Sequence, residues 1–312
     1  MSFEKCAEGS PGLQLLKQRL SRLQTVEGRR KGLSFKPRSD DVFVVTPPKC
    51  GTTWMQQILH QLRSGGDMSF DNINDVVPYI EMAYDTGKTD LEAVHNYQPR
   101  CYKTHTWYPV CPKGAKYIVI YREPCAAFYS LFNFFKGWMF QPGEVTLSEF
   151  VTDFLLTRAV PKNKMEHSSY FLHLLSWLEH RHDSNVLFLF FEDMKEDLES
   201  VVKKVAAFMG IQDEERIKKT VEMSSFEFMK GRSTKFSVLG PRYRNKACGL
   251  PDDAVPILIA TGSATKGREM MDDKTKEAIQ AKWLEVVGKQ TGFQDYNELR
   301  NAFKKEENQN VS

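Results

Sequence analysis

The sequence predicts a single α/β domain with a central parallel β-sheet flanked by helices. Three observations carry that expectation. Apolar runs at 42–45, 116–121 and 186–191 show no polar alternation, as strands buried on both faces of a parallel sheet should not. Stretches with helical spacing follow them, so strand and helix alternate along the chain. The first run then feeds "TPPKCGTTW", two prolines, one glycine and two threonines ahead of a helical pattern, the shape of an anion cradle.

Composition narrows the class. The 312 residues are 41% hydrophobic and 27% charged, enough to bury a proper core in one domain over 1–312. A formal net charge of +3 is too small to argue for a nucleic-acid partner. The six cysteines, at 6, 50, 101, 111, 125 and 248, form no C-x-x-C pair and no zinc-type cluster with histidine, so neither disulfides nor a metal is expected. No apolar stretch precedes Cys6 and no run approaches a membrane span, so a cytoplasmic protein without membrane association is expected.

Element by element, the N-terminal segment (1–40) starts as an amphipathic helix and then turns basic and irregular. After the first strand, residues 52–63 space Trp54, Ile58, Leu59 and Leu62 as a helix that stops at Ser64-Gly65-Gly66. "CYKTH" reads as a short strand end. The strand 116–121 leads into "EPCAAFYSLFNFF", with Pro124 in a helical first turn. "TLSEF" carries a Thr-x-x-Glu capping box. Helices are expected at 168–181, 198–209, 213–223 and 274–288. Residues 231–273 show little pattern, which at that length suggests a functional lid loop. The last residues, 304–312, read as a frayed tail.

The chemistry-bearing residues sit at the joins. A helix starting at Gly51-Thr52 turns free backbone N–H groups and its positive end toward the strand tip. Lys49 adds a charge there, the Thr52 and Thr53 hydroxyls add donors, and Gly51 permits close approach. Unlike the common phosphate-loop order, the lysine precedes the only glycine. Cys50 reads as a small residue packed into the cradle or as a reactive thiol. Lys103 and His105, two apart, share one face at a strand's carboxyl end, where α/β ligands bind. A histidine there suits a general base near pH 7. The other six histidines, at 60, 95, 167, 173, 180 and 182, lack that setting. Arg122 directly follows a buried strand and can fork onto a phosphate, with Ser130 two turns into the next helix. The stretch 228–251 has six basic residues and no acidic one, and Lys266, Gly267 and Arg268 follow later, so a lid over an anion is expected. Trp54 and Phe226 are candidate faces for a purine. Taken singly, each feature also fits an ordinary role: an N-capping threonine, a core histidine, a salt-bridged arginine, a solvated charge run.

Together these pieces resemble the cytosolic sulfotransferase family, from about residue 35 to 300. Its members move a sulfuryl group from 3′-phosphoadenosine 5′-phosphosulfate (PAPS) to a hydroxyl or amine, on a P-loop-like, nucleotide-kinase-type core. "PPKCGTTW" is similar to the family's Tyr-Pro-Lys-Ser-Gly-Thr-Thr-Trp loop. The resemblance implies that Lys49 meets the bridging oxygen, that Thr52 and Thr53 hold phosphate beside Cys50 and Gly51, and that Trp54 stacks on adenine. "KTH" implies His105 as base with Lys103 as helper. Arg122 and Ser130 match the pair that holds the 3′-phosphate, and Ser224 and Phe226 fall at the adenosine. Phe191 stands where the family has tyrosine, Pro47 likewise, and Cys50 replaces serine. Thr265, Lys266 and Gly267 align with Arg-Lys-Gly, so Arg268 is expected to stand in for the missing arginine. The family's dimer motif survives only as Arg216, Thr220, Val221 and Ser225, which leaves a homodimer possible but its motif degraded.

The resemblance further implies an acceptor pocket built from the N-terminal segment, residues 76–86, a helix near 134–145 and the lid. Tyr79, Tyr84, Phe134, Trp138 and Tyr243 are its candidates beside Lys103 and His105, and they suit a small, flat, apolar acceptor. The alternative is a phosphate-loop small-molecule kinase using ATP and Mg²⁺. Glu192-Asp193 directly after an apolar strand favours it, because such enzymes often place a metal-binding aspartate there.

Overall fold

The computed structural model describes residues 9–87, 90–236, 242–254, 256 and 265–311. The apolar runs become strands β1 (Val42–Val45), β3 (Lys116–Tyr121) and β4 (Val186–Phe190), joined by β2 (Cys101–Thr104). All pairings are parallel, in the order β2-β1-β3-β4. Register sets up everything that follows. Val45 stands opposite both Thr104 and Val119, so β1 and β2 end level and Thr46 lies beside His105. β3 runs two residues further, to Tyr121, and delivers Arg122 just beyond.

Helices cover both faces, each started by local chemistry. Helix α1 (Pro11–Ser21) is capped by Ser10 and α2 (Val26–Leu33) by Thr25. α3 (Thr52–Ser64) packs Met55, Ile58, Leu59 and Leu62 on the sheet, then stops where Gly65 takes φ 68°. After the short α4 (Ile73–Val76), α5 (Pro124–Phe135) opens on Pro124, and the Glu123 carboxylate accepts the Ala126 N–H at 2.7 Å. α6 (Leu147–Glu149) has the expected capping box between Thr146 and Glu149 and runs on as a π-turn (Phe150–Leu155). α7 (Tyr170–Leu178) covers the other face of the sheet. α8 (Phe191–Glu196), α9 (Leu198–Met209), α10 (Glu214–Met223) and α11 (Phe226–Lys230) follow β4. α12 (Arg242–Asn245), α13 (Lys266–Met270), α14 (Asp273–Trp283), α15 (Lys289–Thr291) and α16 (Tyr296–Val311) complete the chain.

Several expectations change. The basic stretch before β1 is helical as α2, because Gly32 lets it lie against residue 80: a Cβ there would sit 1.9 Å from the Ile80 carbonyl oxygen. The helix placed near 134–145 stops at Phe135, and Gly137 then turns the chain at φ 80°. The lid stretch is not patternless. It holds a 3₁₀ turn (Ser233–Phe236), α12 and α13, while 237–241, 255 and 257–264 lie outside the described residues. The tail expected to fray continues α16 to Val311, held by Lys304 on Asp193 and Glu196 and by Phe303 stacked on Phe188 at 4.8 Å. Among the described residues no helix is long and apolar enough to cross a membrane.

Candidate active site

Strand order places the site. β1 lies between β2 and β3, so connections leave its carboxyl end in opposite directions and open a crevice there. A cavity of about 430 Å³ fills it. The loop 46–51 forms its base. Lys49 takes φ 71°, in the left-handed region that non-glycine residues avoid, and Gly51 takes φ 97°. These two reversals send successive side chains apart. Lys49 lines the cavity, whereas Cys50 is fully buried in the core with its Sγ 3.9 Å from the Pro48 carbonyl. Burial pushes the Cys50 thiol far up, so it is inert and its side chain does not reach the cavity, contrary to the cofactor role expected for it. A Cβ at Gly51 would sit 2.9 Å from the Phe191 ring. No side chain caps α3, so its first-turn N–H groups remain available to an anion. The Thr52 hydroxyl is shared with Thr46 at 2.6 Å, and both Thr52 and Thr53 line the cavity.

His105 leaves β2 directly beside this loop. Its Nδ1 lies 2.7 Å from the Thr46 carbonyl oxygen, which can only accept, so Nδ1 carries the proton and Nε2 keeps its lone pair. Burial, with help from Lys103, holds the imidazole well below its ordinary range, so it is neutral at pH 7. Behind it the fully buried Glu81 accepts the His105 backbone N–H at 2.8 Å and fixes the strand end. Lys103 lines the cavity with its Nζ 4.6 Å from the Tyr79 ring centroid, and burial lowers it to about 8. Lys49 stands 4.6 Å over Phe134, and burial, then Arg122 and Lys103, lower it to about 7.

The second half of the cavity is built around Arg122. Its guanidinium lies 4.4 Å from the Phe191 ring centroid and Nη1 donates to the Lys49 carbonyl at 3.2 Å, which ties β3 to the loop. Ser130, Lys266 and Gly267 line the same region. Gly267 is required there, since a Cβ would come 2.5 Å from the Ala126 Cα. Trp54 and Phe226 both face the cavity, and the Trp54 Nε1–H donates to the Ser224 carbonyl at 2.7 Å. The cavity gathers Lys49, Lys103, Arg122 and Lys266 with the rings of Trp54 and Phe226, a lining of cations and aromatic faces that suits an anionic ligand with an aromatic part.

Other candidates fall elsewhere. Ser224 is fully buried behind Trp54 and does not line the cavity. Thr265 stands just before α13 and does not line the cavity. Arg268 turns away toward Glu123, 3.7 Å off, so the exchange expected for the missing arginine is not made. Tyr84 packs near Lys31 outside the cavity. Tyr79, Phe134 and Trp138 do line it, and the Tyr243 side chain lies outside the described residues. The acidic pair that favoured a kinase is occupied: Glu192 accepts from the Glu123 N–H and the Tyr296 hydroxyl, and Asp193 pairs with Arg300 and Lys304. Sequence reasoning missed Gln24, Arg158, His167 and Lys195, which all line the cavity. His167 lies on no strand end, so its place in the cavity leaves no mark in the sequence.

Residues 39–245 match the sulfotransferase domain family. An amine sulfotransferase from Oryctolagus cuniculus is 36% identical over 206 residues, covering 63% of this chain and 65% of that one, so this match spans just under two thirds of its length. Sulfotransferase 1E1 of Cavia porcellus is 31% identical over 248 residues, covering 75% and 79%. Mouse sulfotransferase SULT7A1, solved with PAP, superposes with a TM-score of 0.60 at 24% identity over 85% of this chain and 90% of that one. A retinol dehydratase solved with androsterone and PAP gives 0.62 at 20% identity over 87% of each. These two likenesses show the fold. From just before β1 into α12 the chain matches the sulfotransferase domain, and it belongs to that family.

Proposed function

We propose that the protein transfers a sulfuryl group from PAPS to a hydroxyl, or an amine, of a small apolar acceptor, with His105 as the general base. The observation that carries this reading is the tautomer of His105. A neutral imidazole whose Nδ1–H is spent on the Thr46 carbonyl presents Nε2 as a proton acceptor in a cavity lined by Lys49 and Lys103. When bound, the donor would supply the sulfuryl group to the acceptor oxygen in line, the bond from sulfur to the bridging oxygen breaking as adenosine 3′,5′-bisphosphate leaves. Nε2 takes the acceptor's proton as that oxygen attacks. Lys49, Lys103 and the N–H groups at the start of α3 take up the charge that develops on the bridging and equatorial oxygens. Arg122, Ser130 and Lys266 hold the donor's other phosphate, while Trp54 and Phe226 receive its base.

Replacing His105 with alanine is expected to lower kcat by at least ~10³-fold, the scale of a lost general base, while adenosine 3′,5′-bisphosphate still binds. Transfer of labelled sulfate from PAPS to a phenol, with calorimetry of the bisphosphate, measures both. Turnover within tenfold of the parent removes His105 from the role. Because the imidazole titrates well below its ordinary range, kcat/KM should show no acid limb near pH 6.5.

A further inference from the structure

The cavity has an end that donor chemistry does not use. From His105 the lining runs to Tyr79, whose ring is 5.1 Å from the imidazole. The Tyr79 hydroxyl accepts from Gln24 Nε2 at 3.5 Å, and Gln24 Oε1 is 3.2 Å from His167 Nε2. Arg158 lines the cavity at this end and repels a charge on His167. It emerges just after the π-turn, with its guanidinium 4.8 Å from the Phe154 ring centroid. Among the described residues no carboxylate pairs with it and no acidic side chain lines the cavity. The side chain is half-buried, burial lowers it to about 10, and the Phe154 ring face is the one partner it has among the described residues. Proteins seldom leave a guanidinium half-withdrawn from water with no anionic partner. Leu20, Met82 and Trp138 make the rest of this end apolar.

We propose that the acceptor carries an anionic group of carboxylate type at the end opposite its reacting hydroxyl, and that Arg158 pairs with it. This rests on the transferase reading for which end of the cavity takes the acceptor. The guanidinium's planar fork suits a bidentate carboxylate, while the apolar walls between Arg158 and His105 hold a ring or short chain. Gln24 and His167 add polar partners at the same end. The cations assigned to the donor, Lys49, Arg122 and Lys266, are separate from Arg158 in the chain and belong to the loop, the residue after β3 and the start of α13.

The test measures binding of para-hydroxyphenyl alkanoic acids of increasing chain length, and of their methyl esters, by calorimetry on protein saturated with adenosine 3′,5′-bisphosphate. The best acid should bind at least ~10-fold tighter than its ester, as a charge-assisted pair gives. Arg158→Gln should abolish that ratio, and Arg158→Lys should restore part of it, with circular dichroism confirming the fold of each variant. Equal binding of acid and ester at every chain length overturns the proposal, as does a preference that survives Arg158→Gln or no binding of any acid. Labelled transfer to the same compounds separates the two readings. Transfer without acid preference sinks only this one, whereas acid preference without any transfer sinks only the transferase assignment.

Discussion

At the scale of single residues, Lys49 concentrates the cost of the site. It sits in a left-handed conformation and is lowered to about 7 by burial, Arg122 and Lys103. In the unfolded chain a lysine titrates near ~10.4. Between those two values the unfolded chain binds more protons, so this group's contribution to stability rises with pH across the window, and below about 7 the buried charge opposes folding in full. Lys49→Met should therefore raise the melting midpoint of the ligand-free protein by a few degrees at pH 6–7. That gain should shrink toward pH 10, while transfer is lost at every pH. A polyanion arriving at pH 8 should recharge Lys49, so calorimetry in buffers of different ionisation enthalpy should find proton uptake in the parent and less in the variant. Equal uptake in both would remove Lys49 as its source. The residues on strand ends were legible in the sequence because a strand end states where its side chains go. Glu81, Gln24 and His167 were not, since each stands on irregular chain whose docking no local pattern encodes.

At the scale of elements, the site depends on short helices packed against one another through glycine. α13 rests on the first turn of α5, and a side chain at Gly267 would press on the Ala126 Cα at 2.5 Å and the Cys125 oxygen at 2.6 Å, both backbone atoms that cannot move aside. Gly267→Val should lift α13 off α5 and carry Lys266 out of the cavity. The expected loss is ~1–3 kcal/mol of stability from overpacking, together with weaker bisphosphate binding. Gly231→Ala is the control, because its Cβ would meet nothing closer than the Glu227 carbonyl at 3.4 Å. Unchanged nucleotide affinity in Gly267→Val would show that α13 does not frame the donor. The same logic explains which elements the sequence announced. α3, α5, α9 and α10 have apolar faces or caps that fix them locally. α2 and the end of α16 are polar, and they exist because Gly32 fits under residue 80 and because Arg300 and Lys304 find Asp193 and Glu196. Such tertiary partners leave no mark on local periodicity.

At the scale of the whole molecule, chemistry and stability occupy opposite ends of one sheet. The carboxyl ends of β1, β2 and β3 deliver the loop, His105 and Arg122 to the crevice. At the amino ends, the buried Asp41 just before β1 receives Arg100 just before β2 through two bonds of 2.7 and 2.6 Å. Arg100 also donates to the Glu92 carbonyl at 3.1 Å, and the Arg38 N–H donates to Asp41 at 2.7 Å, so the pair fastens both chain entries to the sheet. Removing one partner would leave the other charge buried and unpaired. Arg100→Met or Asp41→Leu alone should each cost ~3–5 kcal/mol, and the double variant should cost less than the two singles added. Denaturant melts of all four proteins would measure this. Well below the melting temperature, the folded fraction of each variant should keep the parent's KM for PAPS, because β1 transmits position and not charge to the far end. A donor KM that changes with Arg100→Met would mean that the two ends are coupled through the strand, and that the sheet is more than a rigid mount for the site.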